Sequence, residues 1–343
     1  KLPDGVWETE DYIDVDPVMG EGLIPIRIKM TIKGDGVHYD LSKSHPKTIS
    51  TFLNCCYGGA FAAIVAGTKM QSPDIPLNSG FYRVVTVDLG PVGFLPEDPA
   101  LLQDAFAKRQ LKLSSGCLIQ PFHDPSLADH CRDVVVRTCK SLASQGATQI
   151  VLMDSIATER TRTLGRPQEA PKLTMQGWTG LVKRVDEAAR IATQEYGITA
   201  SMHSHAGGYC DFEEELSHLL DEVDENFLKV CIDPAHMTPA GMDPLRLTSR
   251  YASRVAYVHL KDIDPIKKQK VIMEGIDFYT ACADDMFCQM GKGEFDFLAF
   301  KVLLQEIGFD GWCTVEQDCS PDATISKAEM ARANREFLIE VGF

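Results

Sequence analysis

Four short apolar runs in this chain each end in a residue that can carry a proton or hold a metal ion. "ITASMHSH" ends in His203 and His205, "FLKVCID" in Asp233, "VAYVHLKD" passes through His259 to Lys261, and "GWCTVEQD" reaches Glu316. Runs such as residues 230–232 show no polar alternation, as in an interior parallel strand covered on both faces. His203, Asp233, His259 and Glu316 follow their runs at nearly the same offset, which would aim four side chains at one point above the strand ends. Two imidazoles and two carboxylates suit one borderline-to-hard divalent ion: Mn2+ first, with Co2+, Mg2+ and Zn2+ as alternatives. Each residue also has a plainer reading. Asp233 can cap a helix, a strand histidine can be hydrogen-bonded structure, and Glu316 can pair with a lysine. Four such accidents on successive strands are less probable than one shared cause.

A divalent ion chelated by a carbonyl and a neighbouring hydroxyl would act as a Lewis acid and stabilise the enediolate formed when an adjacent C–H is deprotonated. Return of the proton elsewhere gives isomerisation or epimerisation; loss of a β-hydroxyl gives dehydration. His205 is the candidate base, because two positions after His203 a strand side chain faces the same way, and imidazole titrates near neutrality. His236 and Lys261 are candidates for protonating or orienting the leaving oxygen. Asp154, Asp262 and Gln317 also stand at strand ends and are taken as substrate-binding, with capping as the plain reading of the two aspartates. The acidic run 213–215 reads as a solvated first helical turn.

From residue 84 onward the chain alternates regularly. "RVVTVDLG", "LKLSSGCLI" and "TQIVLMD" precede the four runs above, and helical spacing fills 127–143, 174–196, 212–223, 295–307 and 325–341. Seven strand-then-helix units in series imply parallel strands joined by crossovers, one unit short of a (β/α)8 TIM barrel, whose catalytic groups lie at the C-terminal strand ends. A doubly wound sheet would usually show a Gly-rich phosphate loop after its first strand, and the sequence has none. Residues 264–295 form a connection longer than ordinary βα loops, suited to a lid or a subunit contact.

The first 83 residues differ. "GLIPIRIKMTIKGDGVHYDLS" alternates like an exposed antiparallel strand followed by a turn at Gly34-Asp35-Gly36, and 50–68 reads as helical. The expected domains are therefore 1–83 and a barrel over 84–343. The first is either a fused piece or the source of the barrel's first βα unit, from 24–32 and 50–68. It holds no convergent ligand set, so no catalytic group is expected there.

Composition narrows the partners. With 34 Lys+Arg against 49 Asp+Glu the formal charge is -15, which disfavours nucleic acid and anionic membranes and suits a cation or a small polar substrate. No apolar stretch approaches a membrane span and the start lacks a signal-peptide core, so a cytoplasmic enzyme is expected, with a homo-oligomer as one expectation for its assembly. The 11 cysteines read as reduced, since most lie in apolar runs and no C-x-x-C occurs.

"HSHAGGYCDFEEE", "CIDPAHMTPAGMDP", "RVAYVHLKDID" and "GKGEFDF" with "GFDGWCTVEQD" together resemble the xylose isomerase-like sugar isomerase and epimerase superfamily, and within it the inosose dehydratase branch. The resemblance runs from about residue 90 to the C-terminus. It implies metal ligands at His203, Asp233, His259 and Glu316, substrate contacts at His205, His236 and Lys261, and metal-dependent dehydration of a keto-polyol. A ketose epimerase or isomerase is the alternative on the same barrel, and a non-catalytic subunit of a larger complex the alternative from another class. Many relatives carry glutamate where this chain has His203. The N-terminal stretch is similar to an internal piece of the hydantoinase B family, on "DGVWETEDYID", "IPIRIKMTIKGDGVHYDLS", Asn54 and "SPDIPLNSGFYRVV".

Overall fold

The computed structural model describes residues 3–16, 20–34, 36–41, 43–44, 85–88, 99–319 and 326–343. The expected helix over 50–68, Asn54 and the expected domain boundary at 83/84 lie outside the described residues. The chain divides into two compact units, Lys1–Leu111 and Lys112–Phe343.

In the first unit, β1 (Gly5–Asp16) and β2 (Gly20–Lys33) form a long antiparallel hairpin, with Gly5 opposite Ile32. β2 turns through Gly34, at φ +62°, into β3 (Gly36–Asp40), which pairs antiparallel with it from Lys33↔Gly36. β4 (Val85–Asp88) then adds parallel to β3. This corrects one expectation: the run "RVVTVDLG" supplies a strand of this sheet, so the parallel sheet of the second unit has six described strands where seven were counted. Residues 24–32 likewise pair antiparallel with β1, and from Lys29 onward with β3 as well. The strict apolar-polar alternation of "IPIRIKMTIK" favours that arrangement, since parallel barrel strands are buried on both faces.

The second unit carries the parallel strands β5 (Ser115–Gln120), β6 (Gln149–Asp154), β7 (Thr199–His203), β8 (Leu228–Ile232) and β9 (Val255–Leu260). A small antiparallel ribbon follows, β10 (Asp262–Ile263) with β11 (Phe287–Cys288), and then β12 (Trp312–Val315). The order is β12-β9-β8-β7-β6-β5, so neighbours in the parallel sheet follow chain order without the reversal that defines a doubly wound fold. The two edges also meet. The Tyr257 hydroxyl accepts from Ser115 Oγ (2.8 Å) at the start of β5 and lies 2.6 Å from Thr314 Oγ1 on β12, so first and last strands are tied through β9.

Helices occupy Ala128–Ser144, Met175–Arg190, Glu213–Glu222, Phe297–Glu306 and Lys327–Val341, close to the spacing-based expectations. Their starts are set chemically. Thr174 accepts from the Gly177 N–H, Asp296 from Ala299, and Ser326 with Glu329 forms a reciprocal capping box. Val135, Leu181 and Leu219 of these helices pack on Ile150, Leu152, Met202, Val230, Ile232 and Val258 of the strands. The alternate strand residues Val151, Met153, Cys231 and Tyr257 cluster separately, inside the curl of the sheet. Among the described residues no helix is long and apolar enough to cross a membrane, and the nine described cysteines are free.

Candidate active site

Strand register decides which polar residues reach the site. Because side chains alternate, a residue two beyond an interior position stays interior. Cys231 is interior, so Asp233 is; Tyr257 is interior, so His259 and Lys261 are; Thr314 bonds to Tyr257, so Glu316 is. Met202 faces the helices, so His203 faces inward.

His203, Asp233 and His259 are 1%, 0% and 3% exposed, and one ligand atom from each lies within 4.8 Å of the others. His203 Nε2 stands 3.3 Å from Asp233 Oδ2, and His259 Nδ1 stands 3.5 Å from the same oxygen and 3.3 Å from Glu316 Oε1. Asp233 Oδ2 and His259 Nδ1 nevertheless have no hydrogen-bond partner. Two donors bound at about 2.1 Å to one tetrahedral ion would be about 3.4 Å apart. The spacing therefore fits a divalent cation shared between these atoms, and the unsatisfied buried pair gives the reason to expect one. His203 Nδ1 lies 2.7 Å from the Ser204 carbonyl, which fixes its proton there and leaves Nε2 a lone pair for the cluster.

Both readings of Asp233 hold, one per oxygen. Oδ1 caps the short helix Pro234–Met237 by accepting from Ala235 N (3.0 Å) and His236 N (3.2 Å), while Oδ2 faces the imidazoles. Burial alone would raise its carboxyl; the surrounding imidazoles and Lys261 outweigh that and hold it well below the usual range. Glu316 stands at the rim of the cluster, 30% exposed by side chain, with Oε2 accepting from Lys261 Nζ at 3.1 Å. Lys261 also reaches Asp318 Oδ2 at 2.8 Å and His236 Nε2 at 3.3 Å, and lies 4.6 Å over the Phe287 ring. Burial opposes its charge, but Asp233, Glu316 and Asp318 keep the ammonium above the ordinary lysine value. Asp318 as a partner of Lys261 was missed; its place two residues after Glu316 was the available signal.

β7 ends at His203, so strand alternation does not extend to His205, whose ring is brought 5.7 Å from His203 by the following loop. Its ring centroid lies 4.2 Å from that of His236, the two rings tilted by 33°. Burial, then His203 and Lys261, push the His205 imidazole down to about 3, and His236 is also well below its usual value for the same leading reason. Both rings are neutral near pH 7. The His205 shift is downward from the near-neutral value of free imidazole, with burial as its leading cause.

Three expected substrate contacts fall elsewhere. Asp154 continues Ile150 and Leu152, and Asp262 continues Val258 and Leu260, both on the helix-facing register, while Gln317, past the end of β12, meets Asn334 of the C-terminal helix. Their polar atoms are engaged within the fold. Asp262 accepts from four backbone N–H groups, of Ile263, Gly291, Gly293 and Phe295. Asp154 accepts from His123 and Tyr209. Gln317 donates to the Phe287 carbonyl (3.3 Å) and accepts from Asn334 Nδ2 (3.1 Å). The acidic run also divides: Glu215 takes a bidentate contact from the buried Arg160 at 2.8 and 2.9 Å, so it is not a solvated residue.

The long connection folds back on the site. Its Phe278 ring lies 5.4 Å from His205 and Phe287 lies 5.1 Å from His236, within a small core with Val271, Ala281 and Met286. No residue pattern announced these two aromatics as neighbours of the histidines.

Residues 83–341 match the xylose isomerase-like TIM barrel family, and the chain belongs to it. Residues 1–148 match the hydantoinase B/oxoprolinase family, overlapping the first match. An inosose dehydratase of Geobacillus kaustophilus is 36% identical over 161 residues, which are 45% of this chain and 52% of that protein. An inosose dehydratase of Clostridium perfringens is 24% identical over 292 residues, 81% of this chain and 95% of that one. Among solved structures, the IolI protein with a bound zinc atom superposes with a TM-score of 0.53 at 15% identity, covering 70% of this chain and 80% of its own. That likeness speaks for the fold.

Proposed function

We propose that this chain is a metal-dependent lyase that dehydrates a keto-polyol of the inosose type. The carrying observation is the buried trio His203, Asp233 and His259, with two unpaired atoms at metal-edge spacing beside a charged lysine. A divalent ion, which we take to be Mn2+, would be held by these three with Glu316 and would supply Lewis acidity toward a carbonyl and its neighbouring hydroxyl. Glu316 presents Oε1 to His259 of that cluster and Oε2 to Lys261, so it would hold the ion and the ammonium in one arrangement.

His205 is neutral and half-buried and accepts the proton from the substrate carbon. A group titrating at about 3 is a weak base, so the removal depends on the site stabilising the resulting negative charge. Lys261 contributes to that as a fixed cation. With its charge held by carboxylates Lys261 orients the departing oxygen rather than cycling its own proton; that oxygen takes up the proton His205 removed from carbon and leaves as water, and His236 sits between Lys261 and His205. Phe278 and Phe287 exclude water from the rear of both imidazoles. The exposed Ile266, Met273 and Tyr279 on the same connection support a contact between copies of the chain.

The test is incubation of metal-replete protein with inososes, ketohexoses and their oxidised relatives in D2O, followed by NMR. A new enone signal is expected with an inosose. Deuterium incorporation with epimer formation and no enone would transfer the assignment to a ketose epimerase.

A further inference from the structure

Asp154 ends β6 on the register facing away from the metal cluster, yet it is 2% exposed and has an ordered set of donors. Oδ1 accepts from the backbone N–H of His123 at 3.0 Å, and His123 Nδ1 lies 3.0 Å from both carboxyl oxygens. Oδ2 accepts from the Tyr209 N–H at 3.0 Å. Tyr209 closes the loop that carries His205, and that loop lies flush on the end of β6. A Cβ on Gly208 would stand 2.9 Å from the Asp154 carbonyl oxygen, leaving no room for a side chain. Gly207, at φ +82°, accepts at its carbonyl from Ala157 N at 2.9 Å. His205 has no comparable anchor of its own. Its Nδ1 lies 3.0 Å from the carbonyl of adjacent Ala206, and its ring rests on His236 and Phe278.

We propose that Asp154 and His123 are a positioning pair that sets the loop 204–209 over the strand ends and so places the His205 imidazole. This rests on the role of His205 given above. His123 is the donor in the pair: the Asp154 hydrogen bond raises its proton affinity against the opposing effect of burial, with Asp124 and Glu159 adding to it. The β6 residue on the helix-facing register thus acts on the chemistry through the backbone of the next loop.

The experiment uses the full chain with zinc added and histidine nitrogens labelled with 15N, the His205 resonances being assigned through His205→Gln. Asp154→Asn and His123→Ala should shift the His205 resonances while leaving those of His259 in place. They should also lower kcat for deuterium exchange by about 100-fold, as expected for a displacement near 1 Å, with KM within about twofold. His123→Asn places an amide N–H where Nδ1 stands and removes Nε2, so it should restore both readouts. Unmoved His205 resonances in Asp154→Asn and His123→Ala overturn the inference. So does loss of exchange in His123→Asn equal to that in His123→Ala, which would make His123 a proton carrier through Nε2. If Asp154→Asn fails to fold, the His123→Ala and His123→Asn comparison carries the test. A parent protein inactive on every substrate counts against the dehydratase reading alone, because the resonance shift is read without turnover.

Discussion

Asp233 and Asp262 are both 0% exposed and both lie just past the end of a parallel strand, yet their surroundings are opposite. Asp262 has four backbone N–H groups converging on its two oxygens, and burial remains the dominant influence, raising its pKa. Asp233 has N–H donors on one oxygen only; the other is unpaired among imidazoles, and its pKa is lowered. One carboxylate organises the loop 288–295, while the other is left incomplete by the fold. What separates them is one step of register. A buried polar group with all its hydrogen bonds made is architecture; one left unsatisfied beside further ligands marks where something else binds.

The largest effects should come from exchanging these roles. Asp233→Ala should abolish metal occupancy and reduce deuterium exchange by on the order of 10^3 or more, while loss of the Oδ1 cap destabilises the chelator-treated protein by about 1–2 kcal/mol, less than Asp262→Ala does. His203→Ala and His259→Ala should do the same to occupancy and exchange. Glu316→Ala should weaken occupancy by about 10- to 100-fold, since Glu316 sits at the rim and orients Lys261. Asp262→Ala should instead leave four N–H donors without an acceptor and destabilise by at least about 3 kcal/mol, while protein that still folds keeps its metal. Metal content by atomic emission beside thermal melts reads both. Full occupancy in Asp233→Ala, or metal loss with unchanged stability in Asp262→Ala, would break the comparison.

A smaller effect is expected at His205, which touches the cluster without closing it. His205→Gln should retain metal and melting temperature but lose about 10^2 to 10^4 in exchange at the substrate carbon. Because its pKa is about 3, the kcat/KM profile of the parent should show no His205 ionisation between about pH 5 and 9. If exchange survives while elimination stops, His205 is the acid for the departing hydroxyl, and the neutral His236 takes the base role.

Much of this was legible beforehand, and the residues show why. The four inward positions proposed as ligands stand out because apolar runs locate strand ends, and period two then carries the interior face onto His203, Asp233, His259 and Glu316. The same arithmetic would have placed Asp154 and Asp262 on the opposite face, but offsets alone do not say which face of a fully apolar run is interior. "TQIVLMD" reads equally well either way up; packing decides that Val151 and Met153 face in. Long-range partners were the other blind spot. Neither the pairing of "RVVTVDLG" with β3 nor the approach of Phe278 and Phe287 to the histidines has a local signature, because both depend on segments distant in the chain.

Asp211 allows the comparison to be sharpened at smallest cost, since it is buried like the other two and also carries an unpaired oxygen, Oδ1, but has no imidazole beside it. Oδ2 accepts from Gly207 N at 2.9 Å. Burial pushes its carboxyl up to about 7, with Arg160 and the Gly207 N–H only partly opposing. An unpaired oxygen in that setting should be met by a proton rather than by a metal. The sign follows from linkage. The folded state binds the proton more tightly than the unfolded chain, so the contribution of Asp211 is fully present below about pH 4, is lost as pH rises toward 7, and stays lost above it. An asparagine side chain at this position would keep an acceptor for the Gly207 N–H and carry no such cost. Asp211→Asn should therefore match the parent at about pH 4 and exceed it by at least about 1 kcal/mol at pH 8, measured by urea unfolding with chelator present. A gap that is constant with pH would show that Asp211 is ionised in the folded protein, and that an unpaired buried oxygen is by itself no guide to what occupies it.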